Sequence, residues 1–296
     1  MVPHAHAIAS LFLLGALAVC ACATAPPRLP YGGYDASMGV ESDVLGRAWL
    51  DSQTPCRSPI ITARAHVRGT LDRRRIDAWF WVGVDAATGR VRLESVDTGP
   101  SRFSLLASYS YGSDRKDEAT LLLRTGRWVV HSRSRELVEL VLGVPLSAPE
   151  LQSVLTGCPT VTGNLRFERF DAATMKMVTE SGDTVFEVFM RRHGVGSPWA
   201  VFATVANVPG RPTRWRADPG ERSHGVLESV RLTSVEWNGR SGGLFDLTFS
   251  LDHIQTPAPA AELFTLSLPE SADPLPVEAV RLNLEQSSLP LLASAQ

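Results

Sequence analysis

Residues 136–159 read ELVELVLGVPLSAPELQSVLTGCP, and the fold turns on them. Leu137, Val138, Leu140, Val141 and Leu142 crowd one short helix, which Gly143 and Pro145 terminate. In Ser147-Ala148-Pro149-Glu150 the serine and glutamate have capping-box spacing, and proline is tolerated in a first turn. A second helix therefore runs through Leu151, Val154 and Leu155 to Gly157. The pair is a greasy helical hairpin, and the segments on either side of it are patterned with period two.

Upstream, Ala63, Ala65 and Val67 alternate with Arg64, His66 and Arg68, as in a strand with one wet face. Residues 76–84, IDAWFWVGV, are apolar on both faces and predict a strand covered on both sides. Further strands are expected over 91–96, 103–111, 120–124 and 127–131, the last two joined by a hairpin at Thr125-Gly126. Downstream, the alternation returns over 164–170, 175–180, 184–191, 199–205, 214–217, 226–237 and 245–251, and Phe264, Leu266 and Leu268 close it. About a dozen strands without crossover helices predict a mainly β protein built on a curved antiparallel sheet, not a βαβ fold. Met38, Val44, Leu45 and Trp49 mark one face of an amino-terminal helix that Pro55 ends. Beyond Pro274 the chain turns polar and reads as a loosely held tail.

The amino terminus reads as an address. Residues 7–19, AIASLFLLGALAV, form a thirteen-residue apolar run, shorter than the ~20 residues a spanning helix needs and fitting for a secretory signal. It ends in Val19-Cys20-Ala21-Cys22, the pattern of a bacterial lipobox, with Cys22 as the residue to be lipidated and ordinary signal-peptide cleavage near Ala21 or Ala23 as the alternative. The expected organisation is a signal peptide over 1–21, a lipidated Pro- and Gly-rich tether over 22–34, a body over 35–270 and a tail over 271–296. Two or three acyl chains such as palmitate, at ~0.8 kcal/mol per buried methylene, anchor a protein stably without a spanning segment. Residue 23 is Ala, not Asp, which by analogy with lipoprotein sorting points to the outer membrane. The mature chain keeps Cys56 and Cys158, a plausible disulfide in an oxidising periplasm, with two buried free thiols as the alternative.

The charge balance, 29 Lys and Arg against 31 Asp and Glu, excludes a strongly basic nucleic-acid binder, and 44% apolar residues exclude a highly charged disordered chain. His66, His131, His193, His224 and His253 are scattered without metal-ligand spacing, and there is no nucleophile elbow, phosphate-binding loop or HExxH. Neither catalysis, a metal nor a cofactor is expected.

The exported helix-then-meander order, the strand Ala63-Arg64-Ala65-His66-Val67-Arg68-Gly69, the run Trp79-Phe80-Trp81 and the Gly-x-Pro-Leu turn within 136–159 together resemble the LolA/LolB lipoprotein-carrier superfamily. The resemblance spans about residues 35–270. It implies an unclosed half-barrel whose apolar concave face is roofed by a two-helix lid, with a periplasmic carrier protein as a possible partner. Candidate residues for sheltering lipid or lipoprotein acyl chains are Phe80, Val82, Leu93, Phe103, Leu105, Phe167, Phe186 and Val188 from the sheet, and Leu137, Leu140, Val141 and Leu151 from the lid. The same residues would serve equally as the solid core of a structural or envelope-assembly lipoprotein with a protein partner. Residues 97–102, DTGPSR, are polar where LolB-type receptors carry a protruding apolar residue, which points to a relative with another lipid or an assembly role.

Overall fold

The computed structural model describes residues 26–36, 39–53, 60–96, 102–109, 117–123, 128–159, 164–181, 184–194, 196–207, 214–223, 226–236, 241–256 and 261–286. The first meander comprises β2 (Ile60–Leu71), β3 (Arg74–Asp85), β4 (Arg90–Ser95), β5 (Phe103–Tyr109), β6 (Asp117–Leu123) and β7 (Trp128–Ser132). It is preceded by the two-residue strand β1 (Tyr34–Asp35) and helix α1 (Gly39–Ser52). Helices α2 (Ser134–Leu142) and α3 (Ala148–Thr156) follow. The second meander comprises β8 (Arg166–Arg169), β9 (Thr174–Ser181), β10 (Thr184–Arg191), β11 (Ala200–Asn207), β12 (Arg214–Pro219), β15 (Ser229–Val235) and β16 (Ser241–Gln255). A small separate ribbon, β13 (Arg222–Ser223) with β14 (Val226–Leu227), interrupts it, and β17 (Asp273–Pro274) and α4 (Val277–Gln286) end the described chain.

Fifteen strands form one sheet in the order β1-β8-β9-β10-β11-β12-β15-β16-β2-β3-β4-β5-β6-β7-β17, antiparallel throughout except for the parallel pair β17–β7. The two meanders meet where β16 pairs with β2, from Phe245 opposite Leu71 to Asp252 opposite Arg64. Gly69 sits in this seam with φ +146°, and a Cβ there would lie 1.9 Å from the Asp246 carbonyl oxygen, so only glycine allows the approach.

That order dictates the position of the helices. β7 and β8 are sequential neighbours, yet they lie near opposite edges of the sheet, so the chain between them must cross the whole width of one face. Helices α2 and α3 form most of the described part of that crossing. Helix α3 touches β4 and β5 on one side of the seam and β14 and β15 on the other. β15 and β4 are four strand spacings apart, roughly 19 Å in a flat sheet, whereas a nine-residue helix is about 13.5 Å long and 10–12 Å across. The sheet therefore curls around the helix, and every residue of α3 is buried.

Alternation sorts the faces as expected: Ala63, Ala65, Val67, Phe80 and Val82 join the buried cluster that contains Leu137 and Leu151. The double-sided covering expected for residues 76–84 holds only in part. Phe264 packs over Gly83 on the outer face, while Trp81 is 49% exposed. Trp79 is covered from within its own sheet, by His66 stacked at 3.9 Å and the Arg64 guanidinium at 3.9 Å.

Four expectations change. Val44 of α1 points to solvent, while Leu45 and Trp49 are buried. The strand expected over 226–237 breaks at Glu228, whose N–H bonds the Glu221 carbonyl (2.9 Å), detaching β14 from β15. Residues 261–264 form a single 3-10 turn in place of a strand, burying Phe264 against the outer face of β3. The first part of the expected tail is docked, not loose: Asp273 and Pro274 pair with Trp128 and Val129, the Leu275 N–H bonds the Val129 carbonyl (2.8 Å), and Val280 of α4 is 3% exposed in the main core, while residues 287–296 lie outside the described residues. Its polar composition masks a single buried stripe.

Gly143 ends α2 at φ +70° with its N–H on the Glu139 carbonyl (2.8 Å), and a Cβ there would meet the Leu71 methyl at 2.2 Å. Gly143→Ala is expected to destabilise the protein by roughly 1–2 kcal/mol from the left-handed backbone alone, read as a lowered urea midpoint. An unchanged midpoint would show that the α2–α3 turn has other low-energy conformations.

Candidate functional site

The concave interior is the feature that all long elements share. Phe80, Val82, Leu93, Phe103, Leu105, Leu137, Leu140, Val141, Leu151, Phe167, Phe186 and Val188 all lie in one buried cluster, so the expected lining residues of sheet and helices are brought together. Sequence reasoning left out much of the second meander's contribution: Met175, Met177, Met190, Trp215, Leu232 and Leu247 lie in the same cluster. The signal was present. In RWRADP, Trp215 and Ala217 alternate with Arg214, Arg216 and Asp218.

Cross-strand register explains how these side chains meet. Thr179 faces Phe186, Phe186 faces Ala206, Ala206 faces Trp215, and Trp215 faces Ser234, giving one row across β9, β10, β11, β12 and β15. Ala206 is small enough for its two large neighbours to touch over it, and the Phe186 and Trp215 rings meet edge to face at 6.0 Å.

The helix pair is fastened to this interior by buried polar contacts. The Ser134 N–H and hydroxyl both donate to Asp117 Oδ1, and the Ala148 N–H donates to Ser134 Oγ (2.8 Å), joining the starts of α2 and α3 to β6. The capping box has formed, with the Ser147 N–H on Glu150 Oε2 at 2.5 Å. Glu150, only 1% exposed, also accepts from Arg135 Nη2 (3.3 Å) and from the Thr184 hydroxyl (2.9 Å) on β10. Arg135 reaches the Pro145 carbonyl as well (3.3 Å). At the other end, Arg222 Nη2 donates to the carbonyls of Thr156 (3.1 Å) and Gly157 (3.0 Å), and burial pushes the Arg222 guanidinium below its usual pKa. The lid is thus tied to both meanders and to the small ribbon.

The outer face is polar and paired. Lys176 bridges Glu168 (2.8 Å) and Glu187 (3.5 Å), and Arg231 holds Asp246 (2.7 Å). Arg216 pairs with Asp218 at 2.5 Å and donates to the Pro27 carbonyl (2.7 Å), while Leu29 packs on a small outer cluster of Phe189, Ala203 and Val205. Residues 27–29 of the expected free tether are therefore held against the outside of the sheet. Burial raises the Asp218 carboxyl above its ordinary value despite this arginine. Cys158 follows directly on α3, whereas Cys22, Cys56 and the 97–101 part of the polar loop lie outside the described residues. Among the described residues no group of three or more His, Cys, Asp or Glu side chains is placed to hold a metal, and no helix is long and apolar enough to cross a membrane.

The arrangement matches a solved structure. A DUF1329 family protein from Desulfovibrio piger superposes with a TM-score of 0.51 at 10% identity, covering 77% of this chain and 98% of that one. The open antiparallel half-barrel is a known fold. A LolA superfamily protein from Nitrosomonas europaea is also similar, with a TM-score of 0.48 at 5% identity over 75% of this chain and 97% of that one. No protein-family model and no curated protein sequence matches the chain.

Two outcomes follow from these contacts. Arg135→Ala leaves the Glu150 charge buried without its cation, and is expected to cost about 3–5 kcal/mol, with much of that recovered when Glu150→Ala is added. A urea double-mutant cycle measures it; additive losses would remove the pairing argument. On the outer face, His66 Nε2–H donates to Asp77 Oδ1 (2.6 Å), which with Arg68 and Arg75 nearby holds the Asp77 carboxyl below its ordinary pKa. A depressed carboxylate adds stability above its unfolded value that is lost as pH falls through the folded one. Asp77→Asn should therefore lower the melting temperature at neutral pH and narrow its difference from the parent protein in acid.

Proposed function

We propose that the chain is a lipid-binding, carrier-type lipoprotein of the bacterial periplasm, moored to the outer membrane through acyl chains on Cys22. The observation that carries the reading is the shared interior: apolar residues from both meanders and both helices converge on one concave surface that the crossing helices keep from water. Sheltering hydrocarbon requires a continuous dry surface of this kind, at ~0.8 kcal/mol per methylene transferred. The reading is non-catalytic, with lipid or lipoprotein acyl chains as ligand and a soluble periplasmic carrier as a protein partner.

A second reading has its own support. The all-round burial of α3 and its three sets of polar fasteners suit a filled core, in which case the protein acts in envelope assembly through a protein partner. Native mass spectrometry of the soluble part, purified without detergent, separates the two. The lipid reading expects adducts with the mass of acyl lipids and uptake of a fluorescent fatty acid; failure of both would leave the assembly reading.

The anchor is tested on the full chain. Labelled palmitate should enter the protein in cells and be lost in Cys22→Ser, with the variant moving from the outer-membrane fraction to the soluble one. We further propose that Cys56 and Cys158 are joined. Thiol alkylation of the unfolded mature protein should then label neither until a reductant is added, whereas labelling of both without reductant would show free thiols.

A further inference from the structure

The interior is graded in polarity along the strands of the second meander. Thr184, which donates to the buried Glu150, lies at one end. Next along β10 comes the row Thr179–Phe186–Ala206–Trp215, then the row Met177–Val188–Thr204–Ala217, and then Met175 opposite Met190. Successive rows are two residues apart, about 7 Å, so the passage from a charged network to three wholly buried methionines takes roughly 20 Å. The whole chain has only five methionines. Their unbranched, polarizable side chains repack around an added hydrocarbon more readily than branched ones.

The intermediate row carries two polar atoms that nothing in the described protein satisfies. Trp215 is 2% exposed with its indole Nε1 unpartnered, and Thr179 is 1% exposed with its hydroxyl unpartnered. Burying such groups unbonded is unfavourable, and each calls for a partner. The indole N–H is a donor only, so its partner must be an acceptor. The row itself, from Thr179 through Phe186, Ala206 and Trp215 to Ser234, contains no titratable side chain, and Arg135 and Glu150 at the end of the interior are paired to each other, so the row favours a neutral acceptor over a carboxylate.

We infer that the row containing Trp215 and Thr179 receives the carbonyl oxygen of a neutral acyl ester, which accepts from Trp215 Nε1–H, while the hydrocarbon runs towards Met177, Met175 and Met190. Thr179, beyond Phe186, offers its hydroxyl to a further polar atom of the same head group. The inference rests on the lipid-binding reading and deepens it: the interior recognises one end of its ligand and gives it a direction.

The test compares methyl myristate with pentadecane, of like length but lacking the ester, each competing with a fluorescent alkyl probe on the soluble protein. The parent protein should bind the ester roughly 3- to 10-fold more tightly, the range expected for one buried neutral hydrogen bond. Trp215→Phe should bring the two together by weakening only the ester. Because a core substitution can disturb folding, the parent protein is also read directly: the Trp215 indole N–H resonance should move downfield with methyl myristate and not with pentadecane. Equal affinities in the parent, an ester preference kept in Trp215→Phe, or an indole resonance indifferent to the ester would each overturn the assignment while leaving lipid binding intact. If the parent protein takes up neither ligand nor the alkyl probe, the lipid-binding reading itself fails.

Discussion

The pairing of β16 with β2 is the constraint on which the molecule depends. It joins two meanders, each assembled from local hairpins, into one sheet, and it places the sequential neighbours β7 and β8 near opposite edges. A chain that must travel from one edge to the other has to cross a face of the sheet, and an apolar helix pair can do so only with its own backbone groups satisfied. The curl of the sheet, the burial of α3 and the single shared core follow from that crossing. Gly69, where the backbones of β2 and β16 approach too closely for any side chain, is the local price of the seam.

The crossing helices are held differently from an ordinary packed helix. Their apolar residues supply contact area, but their position is set by directional bonds at their ends: Asp117 with Ser134, Glu150 with Arg135 and Thr184, and Arg222 on the last carbonyls of α3. Hydrophobic burial is non-directional and would tolerate sliding of a greasy helix along a greasy trough. Buried hydrogen bonds are unfavourable to break and so fix the register. The helix pair is thus secured at both ends, and the methionine-lined end of the second meander lies away from those fasteners.

Much of this was legible in the linear pattern. Gly143, Pro145 and the Ser147–Glu150 spacing mark the helix pair, and simple alternation marks the inward faces of β2, β3, β5 and β10. The errors have physical causes. The outer face of β3 differs from the expectation because Trp79 and Trp81 look like core, whereas Trp79 is sheltered by Arg64 and His66 of its neighbouring strand and Trp81 is exposed. The carboxy-terminal segment was misjudged because one buried residue, Val280, and a two-residue parallel pairing are too little signal against a polar, proline-rich background.

By itself the sequence determined the local states: which segments are strands, where the helices start and stop, and which side of each strand is apolar, because these depend on residues a few positions apart. Only the tertiary structure decided that the two meanders share one seam, that α3 is enclosed and not laid over an opening, and that Thr179, Phe186 and Trp215 fall in one row. Most of those are relations between residues tens to nearly two hundred positions apart, and even the close pair Thr179 and Phe186 joins the row only through Trp215, fixed by strand register and by the path that the seam forces on the chain between β7 and β8.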